Sequence, residues 1–91
     1  MIYIRRVTGN SMLPAYKHRS LVAVSNFRKP VKGSVVIAVQ NGREVMKRVE
    51  SIDVHHMVEL RGDNSEHSTD SRHHGKIPMR MILGVVVWPK S

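Results

Sequence analysis

Residues 34–49 read Ser34-Val35-Val36-Ile37-Ala38-Val39-Gln40-Asn41-Gly42-Arg43-Glu44-Val45-Met46-Lys47-Arg48-Val49. Two β-prone runs flank Asn41-Gly42, a dipeptide that tolerates the positive φ angles of a two-residue type I′ turn, so the segment is expected to close as a tight antiparallel hairpin. A two-residue turn also sets the register. If Gln40 faces Arg43, then Val39 faces Glu44, Ala38 faces Val45 and Val36 lies opposite Lys47. Side chains alternate between the faces of a strand, so Lys47 shares its face with Val45, Val49, Ser34, Val36 and Ala38, all apolar or small.

Outward from this hairpin, strand signals dominate and no stretch of 11 or more residues carries a helical period. Strands are expected at Ile2 to Val7, Leu21 to Ser25, Ser34 to Gln40, Arg43 to Ile52, Met57 to Arg61 and Met81 to Trp88, with Gly, Pro, Asn and Asp in the gaps. The expectation is a mostly β fold. At 91 residues the chain should form a single domain, 1–91, with one modest core. Its 41% hydrophobic content comes chiefly from Val, Ile, Leu and Met, and there is no cysteine to supply a disulfide or a thiolate metal site.

The longest apolar runs, Val35 to Val39 and Leu83 to Trp88, fall far short of the ~20 residues that span a bilayer. Arg5 and Arg6 arrive too early to leave room for the apolar core of a signal peptide. A cytoplasmic chain without a transmembrane anchor is therefore expected. The formal charge of +8 implies attraction to something anionic. The fifteen Lys and Arg are scattered, however, and the one Phe and one Trp do not interleave with basic clusters as a base-stacking platform would need. Nucleic acid is accordingly not the expected partner, while peripheral contact with an anionic membrane stays compatible with the charge. A non-catalytic basic β module binding nucleic acid or anionic lipid is the competing reading.

Three segments carry candidate chemistry. Lys47 on its apolar face is either a lysine whose stem lies along apolar neighbours while its ammonium reaches water, the commoner arrangement, or a desolvated amine. In the second case its pKa falls from about 10.4, because burial disfavours the charged form, and the free amine becomes a general base. Ser11, between Gly9 and Pro14, should lie on an irregular bend suited to a nucleophile. The segment from Gly62 to Arg72 is polar throughout. As an ordered loop it would use Asp63, Asn64 and Asp70 to cap backbone amides, Arg72 to pair with a carboxylate, and the Ser68 hydroxyl to reach the Lys47 amine. A serine activated by a lysine cleaves peptide bonds without a histidine triad.

In order along the chain, Gly9-Asn10-Ser11-Met12-Leu13-Pro14, Met46-Lys47-Arg48-Val49, Gly62-Asp63-Asn64 with Ser68-Thr69-Asp70-Ser71-Arg72, and Gly84-Val85-Val86-Val87-Trp88-Pro89 resemble the boxes of the signal peptidase I family and the related mitochondrial inner-membrane peptidases. The resemblance implies a serine endopeptidase in which Ser11 is the nucleophile, Lys47 its general base, and Ser68 the residue that orients the lysine. Asp63, Asn64, Asp70 and Arg72 would hold the polar loop. It also implies the coiled-sheet, partly open barrel shared with the self-cleaving repressors, and a protein or peptide substrate bound in extended form. An N-terminal leader or propeptide would be removed.

The chain departs from the family pattern in several places. No stretch of it is expected to serve as the family's usual membrane anchor, and it has Gly33-Ser34 and Arg19-Ser20 where Gly-Asp is common. Gly9 stands where some members carry a serine that assists the oxyanion, which leaves that task to the Ser11 backbone N–H. Small anchorless chains of this kind resemble the maturation proteases of nickel-type superoxide dismutases. No cofactor or metal is expected: the histidine pairs His55-His56 and His73-His74 are adjacent, so their rings would point to opposite faces of a strand.

Overall fold

The computed structural model describes residues 1–64 and 75–90. Seven strands form one antiparallel sheet: β1 (Ile2–Arg6), β2 (Leu21–Ser25), β3 (Val35–Gln40), β4 (Arg43–Ile52), β5 (Met57–Arg61), β6 (Ile77–Pro78) and β7 (Ile82–Trp88), with a 3₁₀ turn at Met79–Met81. Their spatial order is β1-β2-β7-β3-β4-β5-β6. The sheet is open, with β1 and β6 at its edges, and does not close into a barrel. No helix among the described residues is long and apolar enough to cross a membrane.

The β3–β4 hairpin has the expected geometry. Asn41 and Gly42 have φ of 55° and 74°, the paired positive values that a type I′ turn needs. Gln40 faces Arg43, Ala38 faces Val45 and Val36 faces Lys47. β2, β4 and β5 have the expected limits, whereas β1 stops at Arg6, β3 starts at Val35 and β7 starts at Ile82, with Met81 in the preceding turn. Val7 and Ser34 still bond at the strand ends, through Val7 N–H to the Ser20 carbonyl (2.8 Å) and Val49 N–H to the Ser34 carbonyl (2.7 Å). The two-residue β6, paired with Met57 and Val58, is too short to carry a period and was not expected.

Alternation along β3 divides the core. Val35 and Ile37 pack with Val7, Met12, Tyr16, Val22 and Val24. Val36 and Ala38 pack with Val49, Val58, Leu60, Ile77 and Val85. A strand covered on both faces needs a continuous apolar run, which accounts for Val35 to Val39. The last strand, β7, slots between β2 and β3, and its Gly84 faces Ile37. A Cβ there would lie 2.6 Å from Val24 Cγ1 and 3.1 Å from both the Ser25 carbonyl oxygen and the Tyr3 hydroxyl. Glycine is thus what lets β7 sit this close to β2. Gly84→Ala should lower the free energy of unfolding by roughly 1–3 kcal/mol through overpacking, read from urea denaturation.

The turn joining β4 to β5 depends on one carboxylate. Asp53 Oδ1 accepts the N–H groups of His55 (2.9 Å) and Met57 (3.0 Å), while Oδ2 accepts from Lys76 Nζ (3.2 Å). The Met57 N–H first, then Lys76 and the His55 N–H, stabilise the ionised form and hold the Asp53 pKa below its ordinary value of 3.8. The unfolded chain therefore binds this proton more readily than the folded one. Its stabilising contribution is complete above the ordinary carboxylate range and is lost as pH falls through the folded pKa. Asp53→Asn should be less stable than the parent at neutral pH, with the gap closing as pH drops below about 4; a gap independent of pH in acid denaturation would refute this.

Candidate active site

Between β1 and β2 the chain leaves the sheet in a loop that carries Ser11. Backbone bonds close its neck, from Val7 N–H to the Ser20 carbonyl (2.8 Å) and from Arg19 N–H to the Val7 carbonyl (2.8 Å). Across the loop, Gly9 N–H donates to His18 Nδ1 (2.7 Å). Met12 and Tyr16, 1% and 4% exposed, anchor the loop in the core, and the Tyr16 hydroxyl donates to the Pro89 carbonyl (2.6 Å). Ser11 precedes the buried Met12 and is itself half-buried on this irregular bend.

Lys47 sits in the middle of β4, opposite the fully buried Val36, and is only 7% exposed. So low an exposure agrees with the desolvated reading of this residue. Ser11 and Lys47 line the same cleft of ≈ 390 Å³, together with Gly9 and Asn10 from the loop and Ile37 and Met46 from the hairpin. Arg5 and Arg6 of the edge strand β1 also line it, as does Glu44, whose carboxylate accepts from Arg5 Nε at 2.8 Å.

The polar loop after β5 ties these two segments together. Asn64 N–H donates to the Ser11 carbonyl (2.8 Å), and Asn64 Nδ2 donates to the Asn10 carbonyl (3.0 Å). The preceding Asp63 is gripped by Arg48, with Nε to Oδ1 and Nη2 to Oδ2 both at 2.8 Å, while Arg48 Nη1 donates to the Gly33 carbonyl (2.9 Å). The hydrogen bonds to Asp63, outweighing desolvation, hold the Arg48 pKa above its ordinary value. Adjacent strand residues point to opposite faces, so Lys47 turns toward the apolar side while Arg48 turns toward Asp63.

This corrects the expected role of Asp63, which accepts from a guanidinium and not from a backbone amide, whereas Asn64 donates to the Ser11 and Asn10 carbonyls. The arm that grips Asp63 bidentately is Arg48, a role its place in the sequence does not announce. The available signal was the β4–β5 register, which pairs Arg48 with Arg61 and so brings Asp63, two residues on, within reach. Ser68, Asp70 and Arg72, and with them His67, His73 and His74, lie outside the described residues.

Removing the carboxylate should expose the cost of this grip. The Arg48 and Asp63 side chains are 28% and 20% exposed. Asp63→Ala should therefore cost roughly 1.5–3 kcal/mol, the range for hydrogen bonds to charged groups. Arg48→Lys should recover little, because an ammonium cannot present two parallel donors. Urea denaturation measures both; an Asp63→Ala protein as stable as the parent would show that the grip is incidental.

A protein-family model described as peptidase S24-like matches residues 1–87, a span that takes in the Ser11 loop, the hairpin, the Asp63-Asn64 brace and nearly all of β7. No curated protein and no solved structure matches the chain. The open β sheet and a cleft lined by both a serine and a buried lysine agree with that assignment: the chain belongs to the peptidase S24-like family, and is in general terms a serine peptidase or a self-cleaving protease.

Proposed function

We propose that Ser11 and Lys47 are the catalytic dyad of an endopeptidase that removes an N-terminal leader or propeptide from a protein substrate. The observation that carries this reading is the shared cleft, in which a half-buried serine and a 7%-exposed lysine stand on elements latched together by Asn64 and Asp63. Burial favours the uncharged amine, the form that can accept a proton. In the proposed cycle Lys47 Nζ takes the proton from Ser11 Oγ as that oxygen attacks the scissile carbonyl carbon. The Ser11 backbone N–H stabilises the oxyanion, and Lys47 returns the proton to the departing amine, leaving an acyl group on Ser11. Water, deprotonated by the same amine, then releases the acyl group.

Ser68 is assigned to orient the lysine, with Asp70 and Arg72 supporting the loop, on the family resemblance alone. The substrate is read as an extended strand, since the edge strand β1, paired only with β2, lines the cleft and has backbone groups to offer a further strand. Maturation of a nickel-type superoxide dismutase is the specific assignment we draw from the chain's likeness to that anchorless subgroup.

Two substitutions test the dyad. Ser11→Ala and Lys47→Arg should each lower cleavage of a leader-bearing substrate by at least about 10³-fold, the latter because a guanidinium keeps charge and length yet does not release its proton near neutral pH. In the parent, kcat/KM should rise with pH along a limb that reports deprotonation of the base. Cleavage continuing at the parental rate in either variant would remove the assigned residue from the mechanism.

A further inference from the structure

A second cleft, of ≈ 430 Å³, opens at the other end of the hairpin and shares no lining residue with the first. Arg28, Lys29 and the exposed Val31 of the β2–β3 loop border it, with Lys90 beyond β7; the partly buried Val86 and Val87 add apolar surface, and the buried Val35 and Val85 lie at its floor. No Asp or Glu lines it. Arg48 reaches this cleft too, but its fork is taken up by Asp63. The ion pairs among the described residues use Arg5, Arg48, Arg61 and Lys76, which leaves the charges of Arg28, Lys29 and Lys90 uncompensated around one concavity.

We infer that this cleft docks an acidic stretch of the protein substrate, an assignment that rests on the peptidase reading above. Like charges gathered around one concavity repel one another, and an anionic guest relieves that repulsion. One exposed ion pair is weak, so a single carboxylate would not hold. Several carboxylates alternating with apolar side chains would engage the three cations and the valine surface together. The concave shape favours a polypeptide over a bilayer, which needs a flat or protruding surface to meet it. Of the residues lining the cleft, the aromatic one is Tyr16, which is buried with its hydroxyl bonded to Pro89 and offers no face to stack a base, while the exposed Phe27 and Trp88 are not among the lining residues.

The test uses the full chain carrying Ser11→Ala as a host that does not consume its ligand, and a short labelled peptide of alternating Glu and Val as the probe. Binding should weaken at least about tenfold between roughly 0.05 M and 0.3 M salt. It should weaken by a similar factor in the triple variant Arg28→Gln, Lys29→Gln, Lys90→Gln, with about tenfold as the least expected loss. The matching Lys-Val peptide should not bind. Equal binding by the triple variant overturns the inference. So does a chain that ignores the peptide yet uses these three cations to bind phosphatidylserine vesicles or duplex DNA. In the catalytically intact chain, the triple variant should raise KM for a substrate with an acidic flank. If the peptide docks as described but Ser11 proves unnecessary for cleavage, the docking site stands and the dyad falls; the two failures are therefore separable.

Discussion

The two hydrogen bonds that Asn64 sends to the carbonyls of Asn10 and Ser11 are the constraint on which the site depends. The Ser11 loop contributes no strand of its own, and a serine on such a bend would otherwise sample many positions relative to a lysine fixed in a sheet. Asn64 can act as a latch because Asp63 is fixed first. The Arg48 fork holds that carboxylate with two parallel bonds and spends its remaining arm on the Gly33 carbonyl. One side chain thus ties the base of the hairpin to the polar loop, and the polar loop ties down the segment that carries Ser11. Met12 and Tyr16 complete the restraint from below by plugging the loop into the core.

β4 performs two tasks because strand geometry separates neighbours. Lys47 turns to the face that holds the buried Val36 and Val49, whereas Arg48 turns to the face from which Asp63 can be reached. Moving the register by one residue would exchange them, exposing the amine and burying the guanidinium. The Asn41-Gly42 turn, whose positive φ values permit a single pairing, is what prevents that slip.

Local signals explain how much of this could be read from the sequence. The hairpin and its register, the limits of β2, β4 and β5, and the candidacy of Ser11 and Lys47 follow from short-range chemistry: turn residues, two-residue alternation and glycine-proline punctuation. What escaped is non-local. Nothing near Gly84 announces that β7 passes between β2 and β3, since the reason is the position of Val24, sixty residues away in the chain. The register irregularities at Ala23/Val24 and Val49/Ser51 are likewise properties of paired strands and not of either strand alone. Arg48 was visible as a residue but not as a clamp, because its role is defined by a carboxylate fifteen positions further on.

The central claim is that the buried lysine makes Ser11 a nucleophile. Acylation by a serine-reactive probe, located by mass spectrometry, tests that most directly because it needs no knowledge of the substrate. The account predicts one adduct on Ser11 in the parent chain, and none on the same timescale once Lys47 is replaced by Met. An adduct on Ser11 that forms as fast without the lysine, or labelling that settles on another hydroxyl, would contradict it.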